Sequence, residues 1–117
     1  AFIAAKLKAW GYEVAEGVGG TGVVASMKNG TGNRAIGLRA DMDALPIQEM
    51  NDFAHKSTVP GKSHMCGHDA HSVMLLGAAK YLAETKNFNG TVRLFFQPAE
   101  EIMGGALAMM NDGALDK

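Results

Sequence analysis

The sequence predicts an α/β fold: a sheet containing a parallel βαβ unit, covered by helices in a three-layer αβα arrangement. Three observations carry this. Ala35 to Ala40 and Thr91 to Phe96 are short runs rich in strand-forming residues. Between them, Asp69 to Lys86 has apolar residues near helical spacing. A strand, helix and strand in that order form a right-handed crossover with parallel strands, and two shorter strands precede it.

The elements follow in order along the chain. Phe2 to Trp10 has a helical pattern, with Gly11 placed as its C-terminal stop. Tyr12 to Ala15 reads as a short strand, and Gly17 to Gly22, with four glycines, as a loop. Val23 to Met27 is a second strand. Asn29-Gly30-Thr31-Gly32 has the composition of a hairpin turn leading into the third strand, Ala35 to Ala40. Asp43 to His64 is a long polar passage holding Pro46 and Pro60, a length typical of functional loops. In the helix from Asp69 to Lys86, Val73, Leu76, Ala79 and Ala83 form an apolar stripe that Met74, Leu75 and Leu82 widen. Asn89-Gly90 ends it. Pro98 closes the strand Thr91 to Phe96, and Gly104 to Asn111 is a last helix.

Composition narrows the function. At 117 residues the chain is long enough for one domain with a core. A net charge of −1 without like-charge runs argues against nucleic acid and membrane surfaces as partners. No apolar segment is long enough to span a bilayer, and Ala1 to Lys6 reads as part of an amphipathic helix, not a signal peptide. The single cysteine, Cys66, cannot close an intramolecular disulfide, so a cytoplasmic setting is expected. Eight methionines suit adaptable packing. The chain starts and stops close to helical patterns, so it is expected to be a fragment of a larger catalytic domain.

The chemistry centres on Cys66-Gly67-His68-Asp69-Ala70-His71. Cys66 and His68, two residues apart, point to the same side of extended or loop backbone. Their sulfur and nitrogen donors suit a borderline-soft divalent cation such as zinc. In an α/β sheet, ligands bind beyond the carboxyl ends of the strands. Asp41 and Asp43 follow the third strand there, and Glu100 and Glu101 follow the Phe95-Phe96 strand. Cys66 and His68 precede the connecting helix at the same end. Each residue also has a plainer reading. Asp69 either caps the helix or joins the site. His71 supports the site through an outer hydrogen bond or lies idle. Cys66 is a small buried apolar group or a ligand. Asp41 and Asp43 are turn formers or site residues, and Glu100 and Glu101 surface acids or site residues. His55 reads as a surface residue, and His64 stays open. A helix N-terminus beside Cys66 is expected to lower its pKa. Of two adjacent glutamates, one can bind metal while the other takes a proton from water that the metal has acidified. That is the logic of amide hydrolysis.

Three segments carry a resemblance: Gly37 to Pro46 (GLRADMDALP), His64 to His71 (HMCGHDAH) and Gly90 to Glu101 (GTVRLFFQPAEE). Together they resemble the M20 metallopeptidases, in the branch of N-acyl-amino-acid amidohydrolases, hippurate hydrolases and auxin-conjugate hydrolases. The resemblance implies a catalytic α/β domain with an inserted dimerisation domain, hence a homodimer or higher homo-oligomer. It implies two divalent metal ions, zinc or manganese, and a small N-acyl amino acid as substrate. A dipeptidase or carboxypeptidase of the same family, or a non-catalytic metal-binding module, is the alternative. By the motif match, Cys66, His68 and Glu101 are metal ligands and Glu100 is the general base. Asp43 orients a ligand, with Asp69 and His71 supporting. Asp41 falls where many relatives carry a metal-binding histidine, and it is not expected to be a ligand here. Two further histidine ligands lie downstream in the family, beyond the span of this chain, and so does the inserted domain. The 117-residue chain alone is therefore expected to bind metal weakly and to be inactive.

Overall fold

The computed structural model describes residues 1–116. It has seven elements: α1 (Phe2–Ala9), β1 (Glu13–Val18), β2 (Gly22–Asn29), β3 (Ala35–Asp41), α2 (His68–Thr85), β4 (Gly90–Gln97) and α3 (Gly105–Asn111). The four strands form one sheet in the order β1-β2-β4-β3. β4 runs parallel to β3 and antiparallel to β2. The expected βαβ unit is therefore β3-α2-β4.

Alternation along the strands divides the core into two layers. Val23, Ala25 and Met27 of β2 and Val92, Leu94 and Phe96 of β4 face α1 and α2. There they meet Ala4, Leu7, Leu75 and Ala79. Phe96, Leu7 and Leu94 are the largest fully buried side chains, each worth about 1.5–3 kcal/mol of burial. Tyr12 closes this layer, its hydroxyl donating to the Ala79 carbonyl at 2.8 Å. The intervening residues Val24 and Phe95 face the other way, where Met109 and Ala114 pack on them. Helices thus cover both faces, as expected of a three-layer αβα domain.

Three local expectations are corrected. The hairpin is not at Asn29-Gly30-Thr31-Gly32. It joins β1 to β2 through Gly19 and Gly20, both at positive φ. Asn29 instead donates to the carbonyls of Lys86 and Phe88, and the Asn89 side chain accepts from the Gly32 amide. These bonds tie the 29–32 turn to the start of β4, which lies between β2 and β3. The buried face of α2 runs through Leu75 and Ala79, with Leu76, Leu82 and Ala83 against it. Val73 and Met74, placed in the apolar stripe by spacing, are exposed. Finally, α2 begins at His68, not Asp69. Its N-cap is Gly67 at φ 101°, without a side-chain cap, so Asp69 does not cap the helix.

The long passage between β3 and α2 is held at its base. Leu45 and Ser63 exchange two backbone hydrogen bonds, of 3.0 and 3.1 Å. The Ser63 hydroxyl donates to the Ile47 carbonyl. The loop thus leaves and returns at one point beside the start of α2.

Candidate metal centre

The parallel pairing of β3 and β4 aligns Asp41 with Gln97. Both strands therefore end at one level. The chain beyond β3 supplies Asp43, the chain beyond β4 supplies Glu100 and Glu101, and α2 begins with His68 at the same edge. The left-handed conformation of Gly67, which an L side chain resists, turns the chain from Cys66 into the helix. His68 is only 3% exposed, an imidazole carried inward on the first residue of α2. Its Nδ1 lies 3.1 Å from the Asp43 carbonyl. A carbonyl only accepts, so Nδ1 carries the proton and Nε2 is left to face the carboxylates. Nε2 is 3.7 Å from Asp41 Oδ2, 3.7 Å from Glu100 Oε2 and 3.8 Å from Glu101 Oε1.

One ligand atom each from Cys66, His68 and Glu101 lies within 4.8 Å of the others. This is the trio named by the sequence. The Glu101 turn is braced: the Glu101 amide donates to the Asp43 side chain at 3.1 Å. Asp43 thus holds His68 by its carbonyl and Glu101 by its carboxylate. The turn from Ala99 to Gly104 is unusual. Ala99 and Met103 adopt positive φ, of 53° and 54°, a region few non-glycine residues visit. The amides of Gly104 and Gly105 both donate to the Ala99 carbonyl at 3.2 Å. A Cβ on Gly105 would lie 1.5 Å from the Pro98 carbonyl oxygen, so only glycine lets α3 start this close to the turn.

The electrostatics are those of a site with an excess of negative charge. Burial alone would lower the His68 pKa, but Asp41, the Asp43 carbonyl and side chain, and Glu101 outweigh it and raise the value. Asp41 is penalised by burial, yet His71, Arg39 and His68 hold it below the usual carboxylate range. Asp43 is likewise lowered, by the amides of Glu101 and Glu100 against its burial. Cys66 departs from expectation. A helix N-terminus should lower its pKa, but the neighbouring Glu101 carboxylate, with burial and the charges of Glu100 and Asp41, raises it.

The donor set fits a divalent cation. Glu101 Oε1 is buried without a hydrogen-bond partner among the described residues. A buried carboxylate oxygen left unpaired beside an imidazole lone pair and a thiol is costly unless a cation satisfies it.

Of the remaining predicted site residues, Glu100 reaches this cluster, with its side chain 42% exposed. His71 lies at its edge and bonds Asp41 at 2.6 Å through Nδ1. Asp69 turns elsewhere: with His64, His55 and Phe53 it lines a separate cavity of about 490 Å³ under the long loop. His55 is a surface residue, stacked on Phe53 at 4.2 Å between ring centroids. Asp41, set aside as a ligand by sequence, is 5% exposed and forms a second acidic and imidazole trio with His68 and His71. Its place as the last residue of β3 was the available signal.

A strand-end cluster of thiol, imidazole and carboxylates on an αβα sheet is that of a metal-binding class of domain. The chain belongs to peptidase family M20/M25/M40, whose profile matches residues 37–117. Hippurate hydrolase from Campylobacter jejuni is 56% identical over 98% of this chain and 30% of its own length. An IAA-amino acid hydrolase from Arabidopsis thaliana is 52% identical over 97% of the chain and 26% of its own length. Thermostable carboxypeptidase 2 from Saccharolobus solfataricus is 46% identical over 97% of the chain and 30% of its own length. Among solved structures, a dinuclear metal-binding M20 peptidase from Bacillus subtilis superposes with TM-score 0.90. It is 39% identical over 98% of this chain and 33% of its own. The chain thus spans less than a third of the length of these curated relatives.

Proposed function

We propose that this chain carries a metal-binding half-site of a hydrolase that cleaves the amide of N-acyl amino acids. Water adds to the acyl carbon, the carbon–nitrogen bond breaks, and a carboxylic acid and a free amino acid result. The observation that carries this reading is the convergence of Cys66, His68 and Glu101 donor atoms within 4.8 Å, with Glu100 beside them. The similarity to hippurate and IAA-amino acid hydrolases supports the substrate class.

Cys66, His68 and Glu101 would hold one of two divalent ions, zinc or manganese, in keeping with the dinuclear relative. A bound cation supplies Lewis acidity that polarises the scissile carbonyl and acidifies water. Glu100 takes the proton from the attacking water and delivers it to the leaving nitrogen. Its partial exposure leaves room for water and substrate. Asp43 fixes the His68 tautomer and the Glu101 backbone, so both ligands are set before metal arrives. His71 and Asp69 lie outside the donor set, with His71 braced by Asp41.

Glu100→Gln in the complete gene product tests this. It keeps the size of the side chain but removes the base. Turnover of an N-acyl amino acid should fall by about 10²–10⁴-fold, with bound metal unchanged. Unchanged turnover would favour a non-catalytic metal-binding module. The 46% identity to a carboxypeptidase favours peptides as the second substrate class, and assaying N-acyl amino acids beside dipeptides separates the two.

A further inference from the structure

Asp41 sits closer to the centre of this network than any role so far given to it. It is the last residue of β3 and is buried. Oδ1 accepts from His71 Nδ1 at 2.6 Å, and Oδ2 pairs with the Arg39 guanidinium at 3.0 Å. Arg39 is itself held, its Nε donating to the Gln97 side chain at 2.8 Å. The Asp41 carbonyl accepts from the Ser72 hydroxyl at 3.1 Å. Strand β3, strand β4 and the first turn of α2 are therefore tied together through one residue.

Asp41, His68 and His71 have atoms close enough to resemble a second metal trio. Two features argue against a second ion there. His68 has one nitrogen free, because Nδ1 is bound to the Asp43 carbonyl, and that nitrogen, Nε2, also faces Glu101 Oε1 at 3.8 Å. One imidazole nitrogen binds one ion. The Nδ1 of His71 already donates to Asp41, and each Asp41 oxygen already has a cationic or N–H partner.

We propose that Asp41 is a positioning residue for the metal centre and not one of its ligands, acting through His68. Its carboxylate lies 3.7 Å from His68 Nε2, too far for a hydrogen bond. Its charge favours a cation on that nitrogen. Its bond to His71 holds the ring that stacks on His68, with centroids 5.6 Å apart. Arg39 and Gln97 keep the carboxylate from swinging into the coordination shell. Outer partners of metal ligands of this kind typically change metal affinity or activity by about 10–100-fold.

This rests on the metal-site reading above, and the test separates the two. Metal-free complete gene product is titrated with cobalt(II), reading ions bound per chain, affinity and the visible spectrum. Asp41→Asn should keep the number of ions and the thiolate-to-cobalt band of Cys66 while affinity falls about tenfold or more. His71→Asn should shift affinity the same way by less. The double variant should be no worse than Asp41→Asn alone, because both remove one linkage. Loss of one ion per chain in Asp41→Asn would make Asp41 a ligand and overturn the proposal. Unchanged affinity in both single variants would overturn it too. Should Asp41→Asn not fold, His71→Asn, at an exposed position, carries the test alone. A parent protein that binds no cobalt would instead remove the metal-site reading itself.

Discussion

Replacing Gly105 with alanine tests whether the approach of α3 to the Glu100-Glu101 turn is as close as described. Propensity predicts stabilisation, since alanine exceeds glycine by up to about 1 kcal/mol in a helix. The structure predicts the opposite. The added Cβ would lie 1.5 Å from the Pro98 oxygen, 2.6 Å from its carbonyl carbon and 3.3 Å from that of Ala99. All three are backbone atoms, so no side chain can turn aside. Restoring ordinary contact moves the start of α3 or the end of β4 by roughly 1.5 Å. Overpacking of this kind costs about 1–3 kcal/mol or more. Net destabilisation of about 2 kcal/mol is expected, close to a 30-fold change in the folding equilibrium. Urea unfolding of parent and variant, compared at equal slope, reads it directly. The same shift displaces Glu101, so metal affinity should fall as well. A variant as stable as the parent, or more so, would refute the close approach.

Three further outcomes are expected. Tyr12→Phe removes the buried bond to the Ala79 carbonyl and should cost about 1 kcal/mol in urea unfolding with metal binding unchanged. Cys66→Ser replaces a soft donor with a hard one, so zinc affinity should fall more than manganese affinity by calorimetry. Metal affinity should rise steeply with pH, because Cys66 and His68 must both lose protons and both pKa values are raised. Without metal the signs differ between groups. The raised His68 contributes stability below the ordinary imidazole value, lost as pH climbs through its elevated value. The lowered Asp41 and Asp43 contribute above the ordinary carboxylate value, lost as pH falls through their depressed values.

The parts of this structure that were legible in the sequence are those set by local pattern. The β3-α2-β4 unit followed from a helical run between two β-rich runs, and strand ends then brought Cys66, His68, Glu100 and Glu101 to one edge. What escaped was decided by residues far apart in the chain. The side chain of Asn29 meets carbonyls at Lys86 and Phe88, and nothing local to Asn29-Gly30 shows that β4 will lie beside β2. Val73 and Leu75 are equally apolar, and only the direction from which the sheet approaches buries one of them. Asp41 and His71 are thirty positions apart, and their bond exists because β3 ends opposite the first turn of α2. The raised Cys66 pKa likewise needed Glu101 in place, a neighbour brought in by the turn after β4.

The place of β4 in the sheet also has a consequence for how the molecule is made. It is the last of the four strands to be synthesised and the one that joins the other three, pairing with β2 on one side and β3 on the other. A nascent chain that has emerged only as far as α2 holds a β1-β2 ribbon and a separate β3, each with an open edge where β4 will pair. Residues 90–97 seal both edges at once, and Glu100 and Glu101 follow directly behind them. These four strands therefore stay an open, aggregation-exposed intermediate until residue 97 has emerged. The chain then gains its central strand and the acidic wall of its metal centre in a single step.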